Sequence, residues 1–136
     1  MSVSFWVGEQ GYVVGDVAFL KSVFSTIFVR VEDRAWGKLF PVVMQDLYAG
    51  RVASGAAVAA LKEVEELRNR LAEHSPGEVV WDFEEPESKP PWGENISPHI
   101  SSLANYFATS DGKNFFDVLS TALSEAAKTG QDLTIG

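Results

Sequence analysis

Apolar residues recur along this chain in two rhythms, one suited to strands and one to helices. Residues 3–8 and 12–15 are short β-prone runs separated by Glu9, Gln10 and Gly11, a spacing that predicts a hairpin. Over residues 17–31 the rhythm changes. Phe19, Leu20, Val23, Phe24, Ile27 and Phe28 recur at helical spacing, while residues 27–32 alternate as a strand does. The reading is a helix to about Ser25, then a strand.

Helical spacing returns from Trp36 to Tyr48, with Phe40, Val43, Met44, Leu47 and Tyr48 on one side, and Gly50 stands where a helix-ending glycine is expected. Ser54 is placed to cap a second helix that runs to about Glu73. Its predicted inward stripe is Val58, Leu61, Val64, Leu67 and Leu71, with charged residues over most of the rest. Ser75, Pro76 and Gly77 end it. Residues 78–83 (EVVWDF) read as a short strand with Trp81 packed inward. Residues 84–98 form a loop, because Pro86, Pro90, Pro91 and Pro98 exclude regular structure.

Beyond the loop, residues 106–109 read as a strand and Ser110, Asp111 and Gly112 as a turn. A last helix follows from Asn114 to about Lys128, with Phe115, Val118, Leu119, Ala122, Leu123 and Ala126 inward. Gly130 stops it, and residues 133–135 add an edge strand. This order of elements predicts a single α+β domain over residues 1–136, a small, mostly antiparallel sheet packed against several helices. The stripe from Val58 to Leu71 is too short for a coiled-coil seam and is read as core; nothing in the sequence sets the oligomeric state.

Charge changes the picture next. The formal net charge is −8, and the first 51 residues carry five acids and five bases, so the excess lies downstream. Between residues 78 and 94 stand Glu78, Asp82, Glu84, Glu85, Glu87 and Glu94 against Lys89. Such a surface repels nucleic acid, whose binders cluster Lys and Arg, and on composition alone it reads first as a solvated acidic face and second as one that attracts a basic protein. There is no cysteine, which removes disulfides, thiolate metal sites and a cysteine nucleophile together. The first residues lack a basic, then apolar, leader pattern, and Lys21, Arg30 and Glu32 interrupt the apolar runs. A cytoplasmic location away from the membrane is expected.

Catalytic chemistry finds little support. His74 and His99 have no partners at metal-ligand spacing, so His74 is read as a helix-end partner of the dipole and His99 as exposed. No G-x-S-x-G elbow occurs, and residues 50–55 (GRVASG) lack the Lys and Ser or Thr of a phosphate loop. Asp82, Glu84, Glu85 and Glu87 are the one enzymatic candidate. On a strand Asp82 and Glu84 would share a face, as a metal-dependent hydrolase requires. Carboxylates here lack the fixed intervals of a calcium loop, and no metal or cofactor is expected. Trp92, between Pro91 and Gly93, either pins the loop or serves as an interface anchor.

Several stretches carry a family resemblance. Val80, Trp81, Asp82, Phe83 and Glu84, then residues 90–97 (PPWGENIS), then residues 103–112 (LANYFATSDG), together resemble the immunity protein 70 family. Residues 24–27 (FSTI), 36–41 (WGKLFP) and 47–50 (LYAG) fit the same pattern, so the resemblance runs from about Val3 to Ala127. Trp36, Gly37, Trp81, Pro91, Gly93, Tyr106, Asp111 and Gly112 are its motif residues, expected to be structural. The resemblance implies a cytoplasmic partner that neutralises a secreted or contact-delivered bacterial toxin by stoichiometric binding, and it carries no catalytic residue. A toxin that holds phosphates is basic, so Asp82, Glu84, Glu85, Glu87 and Glu94 are expected to steer it and Trp92 to anchor it. An adaptor for another basic protein is the alternative within the binding class.

Overall fold

In the computed structural model, which describes residues 1–91 and 96–136, the chain opens with the expected hairpin. Strands β1 (Ser2–Val7) and β2 (Gln10–Asp16) pair antiparallel, with Val7 opposite Gln10 across the two-residue turn Gly8-Glu9. The turn therefore sits earlier than the predicted residues 9–11. Gly8 takes a φ of 60°, which such a tight hairpin turn demands. The register slips between Val3 and Ser4, so β2 carries one extra residue as a bulge before Asp16.

Asp16 then accepts the Ala18 N–H (2.8 Å) and caps helix α1 (Val17–Thr26). The predicted strand at residues 27–32 is instead a π-helical turn, Ile27–Val31, that continues α1. Ile27 and Val31, four apart, are buried while Arg30 points out, so here the helical spacing overrides the β-branched alternation.

The predicted helix from Trp36 to Tyr48 is also shortened, to a π-helical turn at Val42–Leu47. Its first half is shaped by a buried acid. The Glu32 carboxylate accepts N–H groups from Gly37 (3.0 Å), Leu39 (3.0 Å) and Phe40 (3.1 Å), which fixes a tight loop where a helix was expected. Glu63 caps the following turn from outside, accepting the Val42 (3.1 Å) and Val43 (2.9 Å) N–H groups.

Strand β3 (Arg51–Val52), a 3₁₀ turn (Ser54–Ala56) and helix α2 (Ala57–Leu71) follow. Ser54 does not cap the helix through its side chain; its own N–H is held by Asp132 (2.9 Å), which is also ion-paired with Arg51. The buried stripe of α2 is Ala57, Ala60, Val64, Leu67 and Leu71. Val58 is 55% exposed, so the first turns face the core with alanines. Helix α3 (Phe115–Thr129) matches its reading closely. Asn114 caps it, Gly130 ends it at a φ of 71°, and Phe115, Val118, Leu119, Ala122, Leu123 and Ala126 are buried.

Strand β4 (Leu133–Ile135) is not at an edge. It lies between β1 and β3 in the order β2-β1-β4-β3, with Leu133 opposite both Val7 and Val52. Phe5, Val7, Val14 and Leu133 turn inward to one buried cluster shared with the helices. A four-stranded antiparallel sheet packed against helices is the expected α+β architecture. The predicted strand at 106–109 reduces to a single bridge between Ala108 and Asn114.

Residues 78–83 form no strand. A 3₁₀ turn at Pro76–Glu78 leads into an extended segment laid along α1, whose polar side chains take the place of a neighbouring strand. Arg30 donates to the Glu78 carbonyl (2.8 Å), Thr26 exchanges hydrogen bonds with Val80, and Ser25 accepts the Phe83 N–H (3.1 Å). Val80 is the buried residue of this segment, and Trp81 is only half-buried.

Candidate functional site

The acidic loop grows directly out of that docked segment. Asp82 folds it into a turn by accepting the Glu84 N–H at its carboxylate (2.9 Å) and the Glu85 N–H at its carbonyl (3.2 Å). A second turn follows, with the Ser88 N–H on the Glu85 carbonyl (2.8 Å) and the Ser88 hydroxyl on the Glu85 carboxylate (3.1 Å). Phe83, between the acids, is the root. Its ring packs against Phe28 (5.3 Å) and Trp36 (5.2 Å), and Trp36 in turn meets Tyr48 (4.7 Å).

Lys21 of α1 reaches the same loop. Its Nζ lies 3.3 Å from Asp82, 3.0 Å from Glu84 and 5.5 Å from the centre of the Phe83 ring. The Glu84 N–H and then Lys21 lower the Asp82 pKa, while the hydrogen bond to Glu84 raises that of Lys21. Two predicted site residues, Asp82 and Glu84, are thus brought together, but on a shared lysine and around a turn. The strand face that the metal-dependent alternative required is not formed, because residues 78–83 are not a strand. No group of three His, Asp or Glu among the described residues is placed to hold a metal ion.

Glu85 and Glu87 are exposed, have no ion-pair partner among the described residues, and line a shallow groove with Pro86 and Ser88. They are the outward charge of the loop. Trp92, Gly93 and Glu94 lie outside the described residues. His74, read as a partner of the helix dipole, pairs with Glu78 (3.2 Å), and Glu78 also closes a capping box with Ser75.

Most of the described motif residues are held by local contacts in different parts of the fold. The Trp36 Nε1 donates to the Met44 carbonyl (2.5 Å). Gly37 has a φ of 74°, and a Cβ there would meet the Gln45 amide at 2.4 Å. Tyr106 is buried against Phe107 (5.1 Å), and Pro91 is exposed. Asp111 accepts the Thr109 hydroxyl, the main cause of its lowered pKa, and Gly112 turns at a φ of 82°. The Ser110 N–H joins this turn to the Val14 carbonyl of β2 (3.0 Å). A wider groove of about 610 Å³ between β2 and α3 is lined by Tyr12, Asp111, Lys113 and Asp117. Asp117 is engaged with Arg68, and Asp111 with Thr109 and Lys113.

Two residues escaped the sequence reading. Lys21 carried a signal, a single cation within an apolar helical run, but its partners are remote in the chain. Glu32 carried a weaker one, an acid directly after the apolar run that ends at Val31.

No helix among the described residues is long and apolar enough to cross a membrane. Comparison with curated proteins and with solved structures found no match. The family model described as Immunity protein 70 matches residues 5–135, nearly the whole length. The chain, matched almost end to end, thus belongs to the immunity protein 70 family.

Proposed function

We propose that this chain binds a cognate bacterial toxin one-to-one and holds it inactive in the cytoplasm, without turnover. Family membership implies an immunity protein of a toxin system and a toxin as partner. The observation that carries the finer reading is the pair Glu85 and Glu87, exposed on a loop whose base is pinned by Phe83 and Lys21. A pre-shaped acidic projection meets a basic groove with little ordering cost, and its field speeds the encounter. A groove that holds phosphates, as in a nuclease, has that chemistry. Asp82 and Glu84 support the loop and Glu85 and Glu87 face the partner, with Trp92 and Glu94 proposed from the sequence alone as further contacts.

The pairing of Asp82 and Glu84 with Lys21 supports a loop-holding role for these acids over the hydrolase alternative. Co-expression with the C-terminal domain of the toxin encoded beside it tests the proposal. Rescue of growth together with a stable one-to-one complex is expected. Growth arrest and no complex, with both proteins folded, would remove the immunity reading for that pair.

A further inference from the structure

A second surface adjoins the acidic loop through Lys21. Between α1 and the end of the sheet lies a hollow of about 280 Å³ lined by Val3, Val17, Leu20, Phe24, Tyr48 and Ile135, with Lys21 at its rim. It exists because the inward face of the sheet is incompletely covered there. Val3 and Ile135 are only partly buried, β3 is two residues long, and Gly50 brings no side chain. Val17 and Tyr48 are each 45% exposed, so two of the most exposed large apolar side chains converge on one spot. Met1, a third, is tied to it by the Val17 N–H on the Met1 carbonyl (3.0 Å).

The Tyr48 ring is held in place before any partner arrives, edge-on to Phe24 (5.1 Å) and Trp36 (4.7 Å). An aromatic side chain already fixed in one rotamer loses little entropy on contact, a property of interface hot spots. The rim has a definite charge. Lys21 is outnumbered by Asp82 and Glu84, whose side chain is 63% exposed, and Glu85 and Glu87 continue the same loop. An apolar centre bordered on its Lys21 side by a net-acidic loop has the anatomy of a protein interface, and the excess charge of that loop favours a basic partner.

We propose that this hollow is the anchor pocket for the toxin: it receives an aliphatic or aromatic side chain flanked by Lys or Arg that meet the acidic loop. The inference rests on the immunity reading and adds to it the site of the tightest contact. The loop governs arrival and the hollow governs departure.

Val17→Glu is the discriminating variant. Val17 is the first residue of α1, where an acid suits the helix end, so the fold should hold. The added charge attracts a basic partner at long range but is costly to bury in an apolar contact, so weakening reports that Val17 lies inside the interface, and Val17→Ser tests the same contact without the charge. Binding of the toxin domain encoded beside this chain is measured for the wild type, Val17→Glu, Val17→Ser and the Glu85→Ala/Glu87→Ala double variant, with a thermal melt for each. Expected is a tenfold or greater rise in dissociation rate for both Val17 variants, with association nearly unchanged and native melting. Affinity within twofold of wild type for both Val17 variants would overturn the pocket while leaving immunity standing. A wild-type chain that neither binds nor protects would overturn the immunity reading itself. A wild-type dimer dissolved by Val17→Glu would make a second copy the occupant and overturn the toxin assignment.

Discussion

Val80 pairs its backbone with one side chain: its N–H reaches the Thr26 hydroxyl at 3.0 Å and its carbonyl lies 3.2 Å from the same oxygen. A threonine on a helix thus does what a neighbouring strand would do. Thr26→Val keeps the shape and removes the hydroxyl, leaving buried backbone groups unsatisfied. A loss of about 1–3 kcal/mol is expected by chemical denaturation, with Thr26→Ser close to wild type.

Glu32 holds three amide hydrogens with two oxygens and is almost wholly buried. Glu32→Gln replaces one accepting oxygen by a donor that faces another donor. Destabilisation of about 2–4 kcal/mol is expected. If the denaturation midpoint of Glu32→Gln equals that of wild type, the carboxylate does not hold this loop.

Gly37→Ala meets two obstacles, a left-handed backbone and the Gln45 side chain. The backbone part costs roughly 1–2 kcal/mol. Adding Gln45→Ala should relieve the steric part and leave the backbone part, so the double variant falls between Gly37→Ala and wild type in melting temperature.

Acid sensitivity follows from the loop. The Asp82 pKa is lowered first by the Glu84 N–H and then by Lys21, so its stabilising effect is present above the unfolded carboxylate range and is lost as pH falls through its folded value. Glu63 runs the other way. Burial raises its pKa against the pull of the Val43 and Val42 amides, so it favours the fold at low pH and that benefit is lost as pH rises. In Lys21→Met, carboxyl NMR titration should show the Asp82 pKa moving up only part of the way, because the Glu84 N–H remains.

Charge at Glu85 and Glu87 should be felt in the encounter rate. The double alanine variant is expected to bind the toxin with association slowed several-fold at low salt, and the difference should shrink toward 0.5 M salt. Equal association rates at low salt would show that the loop does not steer.

What the sequence revealed depended on how local the signal was. Helix α3 was legible because Asn114, its apolar stripe and Gly130 all lie within the element. The hairpin was legible except for its turn, since glycines flank Glu9 and Gln10 on both sides. Residues 27–32 were misread because β-branched alternation was weighed above the helical spacing, and residues 78–83 because apolar alternation reports burial and not the identity of the neighbour, which here is a helix bearing Ser25, Thr26 and Arg30. The acidic run was visible as a loop, but its division into supporting and outward acids hangs on Lys21, over sixty residues upstream of Glu84. The hollow was invisible, because its walls come from both strand ends of the chain and from Tyr48.

The central place of β4 has a temporal side. Trp6 of β1 bonds the Gly136 carbonyl across 130 residues, and Phe5 pairs with Ile135 beside it. On the ribosome the hairpin segment therefore emerges first, and the flank of β1 that β4 will cover has no partner while everything up to residue 133 is synthesised. At about 5–20 residues per second that interval is on the order of ten seconds. A bare strand flank is a template for wrong pairing, and closing so long a loop is slow. A nascent chain thus completes its sheet only once residues 133–135 have emerged, at the very end of its synthesis.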